Sequence, residues 1–178
     1  MKSTSLSHED LVRLAQFNGD DLEKIQDCRR PHTQLGFAYQ LAFVRLNNRL
    51  PLQQPLELKD DILTYVSVQL DISGGVIHKY VTQRQTIINH QNSICDYIGL
   101  HRFGEAEITL LESFLFEVAC RLEQTGPLMV QAKTFLKENK ILFPADSTLR
   151  RLIMTQRRAA RDHIFTRIAD ELPDAVQL

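Results

Sequence analysis

Apolar residues recur along this chain with the spacing of helices, and nowhere with a strand-like alternation of useful length. Ser7-x-x-Asp10 is a capping pattern that opens a short helix running through Phe17. Asn18-Gly19 ends it, and Asp20 or Asp21 starts another that stops near Arg30-Pro31. From about His32 to Asn47, Leu35, Phe37, Ala38, Leu41, Ala42, Phe43 and Val44 leave little polar face, which predicts a central, buried helix. Pro51 and Pro55 bracket an extended linker, and Leu58 to Leu70 reads as a helix with Ile62, Tyr65, Val66 and Leu70 on one stripe. Ser73-Gly74-Gly75 breaks the chain before a short helix around Val76 to Tyr80. Thr82 caps the next helix, Gln83 to Tyr97, which Gly99 ends. Glu105 to Glu123 is long and amphipathic, closed by Gly126-Pro127, and Leu128 to Asn139 follows. Ile141 to Pro144 is extended, and Ser147 caps a last helix. The pattern predicts an all-α bundle of about eight to nine helices with helix-turn-helix-like subdomains. Its expected division is a unit of residues 1–104 and a second of 105–178, or one continuous domain.

That last helix carries the most informative chemistry. At roughly 100° per residue, Arg150, Arg151, Arg157, Arg158 and Arg161 share about one third of the circumference. Leu149, Leu152, Ile153, Ala159 and Ala160 fall on the opposite arc, and no acid interrupts the run between Asp146 and Asp162. Such a helix can bury its apolar stripe and hold a row of guanidinium groups outward, in a geometry that suits phosphate oxygens and the guanine edge. The plain alternative is a solvated charged face on an ordinary bundle helix.

Composition narrows the remaining classes. The chain has 178 residues, 43% of them hydrophobic, which suits one large or two small globular domains. No apolar run approaches a membrane span, and the first residues lack the apolar core of a signal peptide, so the expected setting is cytoplasmic, without a membrane partner. Cys28, Cys95 and Cys120 are too sparse for a disulfide framework or a zinc knuckle. His90 and Cys95 lie five apart on one helix, on different faces, and His90 reads as structural. Asp60-Asp61 reads as a helix start. No Gly-rich phosphate loop, metal-ligand spacing or nucleophile with a base is legible, so no catalytic residue, metal ligand or cofactor is expected.

The net charge of −1 argues against a general nucleic-acid binder, but the charges are unevenly distributed. Arg29 to Leu56 contains no acid while holding Arg29, Arg30, Arg45 and Arg49; Ile72 to Cys95 is again acid-free, with Lys79 and Arg84. Acids collect at Glu57, Asp60 and Asp61, and from Glu105 to Glu123.

A series of motifs adds a family to this reading. Gln34-Leu35-Gly36-Phe37-Ala38-Tyr39-Gln40-Leu41-Ala42-Phe43-Val44-Arg45-Leu46, followed by Arg49-Leu50-Pro51, resembles the opening signature of the Tn-three-type replicative transposases. Tyr65-Val66-Ser67-Val68-Gln69-Leu70 is similar to the family's Y-[VLI]-x-x-Q-L segment. Tyr80, Thr86, His90 and Ile94, then Tyr97-Ile98-Gly99-Leu100-His101-Arg102-Phe103, resemble its next block, with His101 where Phe is common. Pro144, Leu149-Arg150-Arg151-Leu152-Ile153, Arg157-Arg158-Ala159-Ala160-Arg161 and Ile168-Ala169-Asp170-Glu171-Leu172 resemble the last. The likeness extends from about Leu11 to Leu172. It implies an N-terminal, all-helical, non-catalytic region that recognises terminal inverted repeats. The family's RNase-H-like catalytic domain, with its three acids and Mg²⁺, would lie downstream of such a fragment or truncated copy.

The resemblance and the charge pattern together suggest sites. Arg29 and Arg30, before a helix start, contact phosphate or are exposed loop charges. Arg45 and Arg49 touch DNA or satisfy helix-terminal carbonyls. Thr82, Gln83 and Arg84 open a helix whose first residues are placed to read base edges, Gln toward adenine and Arg toward guanine. Arg102 and the five arginines of the last helix complete the candidate DNA-binding set. Two function classes remain open at this point: a site-specific module for duplex DNA, homodimeric in the full-length protein, or a helical protein-interaction module without DNA contact.

Overall fold

The computed structural model describes residues 7–122 and 124–171. Among them nine α-helices follow one another: α1 (His8–Ala15), α2 (Gly19–Gln26), α3 (Pro31–Asn47), α4 (Asp60–Leu70), α5 (Ile77–Val81), α6 (Arg84–Ile98), α7 (Glu105–Ala119), α8 (Thr125–Glu138) and α9 (Asp146–Glu171), with a 3-10 turn at Gly74–Val76. The all-α expectation is met. The chain divides into two compact units between Leu100 and His101.

In the first unit α3 is the axis, packed by α1, α2, α4, α5 and α6. Pro31 occupies its first turn, where a missing N–H is harmless, and every residue from Leu35 to Val44 is buried. Asn48, at φ 49°, closes it in the left-handed region. Gly36 is required by packing: a Cβ there would fall onto the ring of Tyr80 in α5. The Tyr80 hydroxyl takes a hydrogen bond from Gln40 Nε2 at 2.5 Å and meets His90 Nδ1 at 2.9 Å; His90 Nε2 lies 3.8 Å from Cys28 Sγ. Burial pushes the His90 imidazole down to about 4, so it sits neutral in this chain of polar groups. His90 is thus structural, and its thiol neighbour is Cys28, not Cys95.

Two bidentate ion pairs stitch the helices of this unit. Arg45 reaches Asp21 at 2.7 and 2.8 Å, and Tyr97 donates to the same carboxylate at 2.8 Å. Arg49 reaches Glu57 at 2.6 and 2.7 Å. Neither arginine serves chiefly as a cap for helix-terminal carbonyls, although Arg49 Nη1 also donates to the Leu50 carbonyl.

In the second unit α7, α8 and α9 pack on one another around Leu111, Leu115, Leu128, Leu136, Leu149, Leu152 and Ile153. Phe114 and Phe135 stack at 4.2 Å between centroids. The segment after α8 returns as a parallel bridge between His101 and Ile141.

Several expected boundaries shift, each for a local reason. Gly126-Pro127 does not close α7 but lies in the first turn of α8, where proline needs no hydrogen bond. The α7 helix ends earlier, at Ala119. Ser147 does not cap α9, because Asp146 is already helical. Ala159 is exposed, while Leu149, Leu152, Ile153 and Ala160 are buried as expected. The apolar stripe is therefore narrower than the wheel suggested.

Candidate nucleic-acid interface

One basic surface forms where α3 and α6 begin. Arg30 is the residue before α3, its backbone held by Thr33 Oγ1, and Arg29 precedes it; both side chains are exposed. His32 Nε2 lies 3.1 Å from Gln83 Nε2, which places the start of α6 beside the start of α3. Arg84 is the first residue of α6 and is exposed, as are His78 and Lys79 near the end of α5. Neither α3 nor α6 has an acid in its first turn, so the positive ends of two helix dipoles add to the arginines.

The expected role of Thr82 as a helix cap is corrected. Its hydroxyl donates to the Lys79 carbonyl at 3.0 Å, and Gln83, not Thr82, is the residue before α6. Gln83 is half-buried with its amide against His32. The helix-turn-helix-like pattern reduces here to a five-residue α5, a two-residue break and α6. At the start of α6 it is Arg84 whose side chain points to solvent.

The second basic surface is α9. Arg150, Arg151, Arg158 and Arg161 are exposed, and none has a carboxylate partner among the described residues. Arg157 differs. It lies nearest the buried stripe on the wheel, is half-buried, and donates from Nη1 to Thr125 Oγ1 at 2.9 Å and toward Met154 Sδ at 3.6 Å. A groove of about 740 Å³ runs along this face, lined by Met154, Arg157, Arg158, Arg161, Ile164 and Phe165 among others. Phe165, Met154 and Ile168 are 63%, 54% and 50% exposed on the same arc as the arginines. Phe165 and Ile168 lie about one and two turns beyond Arg161, and Met154 lies among the arginines themselves, so helix periodicity alone carries the signal for all three. Arg102, in the second unit, is also exposed.

The other candidate chemistry stays structural. Asp60 and Asp61 form the first turn of α4, where Asp61 Oδ1 accepts from the Ile62 N–H at 2.9 Å. No group of three or more His, Cys, Asp or Glu able to hold a metal ion occurs among the described residues. No described helix is long and apolar enough to cross a membrane.

Comparison with known proteins places this arrangement in a family. Residues 1–156 match the family described as a domain of unknown function (DUF4158). The transposase for transposon Tn1546 from Enterococcus faecium is 28% identical over 156 residues, covering 88% of this chain and 16% of the relative. The transposase for transposon gamma-delta from Escherichia coli (strain K12) is 30% identical, covering 89% of this chain and 16% of the relative. The transposase for transposon Tn501 from Pseudomonas aeruginosa is 27% identical, covering 95% and 17%. The chain spans about one sixth of the length of these curated relatives. It belongs to the DUF4158 family and corresponds to the N-terminal region of a Tn-three-type transposase.

Proposed function

We propose that this chain is the site-specific DNA-binding module of a transposase, recognising the terminal inverted repeats of its transposon without itself catalysing strand transfer. The observation that carries this reading is the set of exposed Arg150, Arg151, Arg158 and Arg161 on α9, without carboxylate partners among the described residues, in a chain similar to transposases over most of its length. Arg29, Arg30 and Arg84 supply a second phosphate-facing surface. Cations facing a duplex release its condensed counterions, which gives affinity that falls steeply with salt. The module works in the cytoplasm, and two copies serve the paired transposon ends in the full-length protein.

The test is fluorescence anisotropy of the chain on duplexes of transposon ends and on scrambled duplexes, across a salt series. Tighter binding to the ends, with a linear loss of log affinity against log salt, is expected. Absence of binding even at about 50 mM salt would refute the reading. Incubation with Mg²⁺ should produce neither nicks nor joints. Exposed Phe165, Met154 and Ile168 favour a second reading, a protein-interaction module; retention on heparin at physiological salt separates the two, because only the DNA reading requires it.

A further inference from the structure

We propose that α9, and not α6, enters the major groove, with Arg158 and Arg161 reading base edges and Phe165 and Met154 packing on thymine methyl groups. This rests on the DNA-binding reading and assigns its base-reading element.

The start of α6 is poorly placed to read bases. Thr82 is exposed but its hydroxyl is hydrogen-bonded to the Lys79 carbonyl, and half-buried Gln83 lies against His32, so of the three expected contact residues Arg84 alone extends a long side chain from an exposed position. Beyond it, α6 buries Ile87, Gln91, Ile94 and Cys95, and Gln85 donates to Asn89 along its own helix. A base reader needs a polar or basic side chain that can leave the protein surface.

The distal part of α9 meets that requirement. Every residue from Arg161 to Asp170 is exposed, with His163 resting edge-on against Phe116. At 1.5 Å per residue, this is a stretch of about 15 Å. A helix with its side chains is about 10–12 Å across, and the major groove of B-form DNA is about 12 Å wide. One arc of this stretch and the two turns before it carries Met154, Arg158, Arg161 and Phe165; Asp162 lies at its edge and Asp170 opposite. The two arginines have no carboxylate partner among the described residues, which is the charge complement of a polyanion.

The apolar residues fit the same occupant. Guanine offers two acceptors to a guanidinium fork, and thymine offers a methyl group to an apolar side chain. Arg157, anchored by Thr125 and Met154, fixes one wall of the groove beside them. Arg150 and Arg151, one to three turns earlier on the helix, are left to contact phosphates.

The test is selection of the 178-residue chain on a duplex library with a randomised centre, followed by affinity measurements on the selected and random duplexes at matched salt. Arg158→Lys/Arg161→Lys keeps both charges and removes the forks. It should lower the preference for the selected sequence roughly tenfold or more, while leaving the salt slope and the melting temperature unchanged. Deoxyuridine in place of the thymines of the selected sequence should weaken wild-type binding and leave Phe165→Ala unaffected. Arg29→Ala/Arg30→Ala/Arg84→Ala should weaken binding to all sequences alike. Full sequence preference in the lysine variant would overturn the assignment to α9 while leaving the DNA-binding reading intact. A wild-type chain that binds no duplex would overturn both. An α9 face that captures acidic helical peptide and not duplex DNA would overturn the proposal in favour of protein docking.

Discussion

Replacing Gly36 by Ala should destabilise the first unit strongly, although the same exchange in a free helix would stabilise it. Helix propensity favours Ala over Gly by about 0.8–1.0 kcal/mol in a helix interior, and a buried methyl adds about 0.8 kcal/mol. At position 36 that methyl falls onto the Tyr80 ring. Tyr80 is fully buried, stacked on His90 at 5.5 Å between centroids, and held at its hydroxyl by Gln40 and His90. Moving the ring breaks both hydrogen bonds inside the core. Overpacking costs about 1–3 kcal/mol, and each broken hydrogen bond a further ~1 kcal/mol with its groups left buried. The net is a loss of roughly 1–3 kcal/mol after the propensity and burial gains are subtracted. For a unit near 100 residues each kcal/mol moves the midpoint by about 4–8 °C. The assay is thermal unfolding followed by tyrosine near-ultraviolet signal. All four tyrosines lie in the first unit and the chain has no Trp, so this signal reports that unit. Gly19→Ala is the control, since nothing stands within 4 Å of a Cβ there. A Gly36→Ala variant that melts at or above wild type, with Gly19→Ala behaving alike, would refute the packing argument.

Asp21→Asn removes the charge and turns into a donor one of the two oxygens that accept from Arg45, Tyr97 and the Asn18 N–H, which meets Oδ2 at 3.0 Å, and should cost the first unit about 3–5 kcal/mol, because Arg45 is left half-buried without a counter-charge; denaturant unfolding with an unchanged slope checks it. Stability should fall with acidification below pH 6.5 toward about 4, since unfolding lets His90 take up a proton that burial denies it in the fold; His90→Gln should abolish this part of the pH profile. The carboxylates act in the same direction at lower pH: burial alone would raise Asp21, but the hydrogen bonds from Arg45, Asn18 and Tyr97 hold it below its ordinary value, and Arg49 does the same for Glu57, so their stabilisation is lost as pH drops through the folded values. Arg157→Ala should lower the melting point of the second unit by a measurable amount, unlike Arg158→Ala, because Arg157 alone of the two is tied to Thr125; equal melting points would contradict the hydrogen bond.

What the sequence made legible is what helix periodicity and local capping govern. The central helix, the Ser7 cap and the buried stripe of α9, without Ala159, follow from short-range pattern and are found in the structure, whereas Asn18, read as the end of α1, caps α2. What stayed hidden depends on contacts across long stretches of chain. Arg45 and Asp21 are 24 positions apart, Gln83 and His32 51, Cys28 and His90 62. No periodicity marks such pairs, so Arg45 read as a DNA contact or a partner of helix-terminal carbonyls and Gln83 as a base reader. The misplaced ends of α7 and α8 have another cause: Gly-Pro is a strong break signal, yet proline is equally at home in a first turn.

The net charge of −1 misleads for a physical reason that the fold exposes. Acids fill the first turns of α1, α2, α4, α7 and α9, where they face the positive end of a helix dipole. Asp21 and Glu57 are further neutralised by arginines inside the first unit. The acids at these helix starts and in these internal pairs contribute to the stability of the helices. Arg150, Arg151, Arg158 and Arg161 of α9 have no carboxylate partner among the described residues, and two helix starts without acids stand beside Arg29, Arg30 and Arg84. A chain of net charge −1 thus still has locally positive faces, because the acids at helix starts and in internal pairs hold the helices while Arg150, Arg151, Arg158 and Arg161 stand exposed on α9.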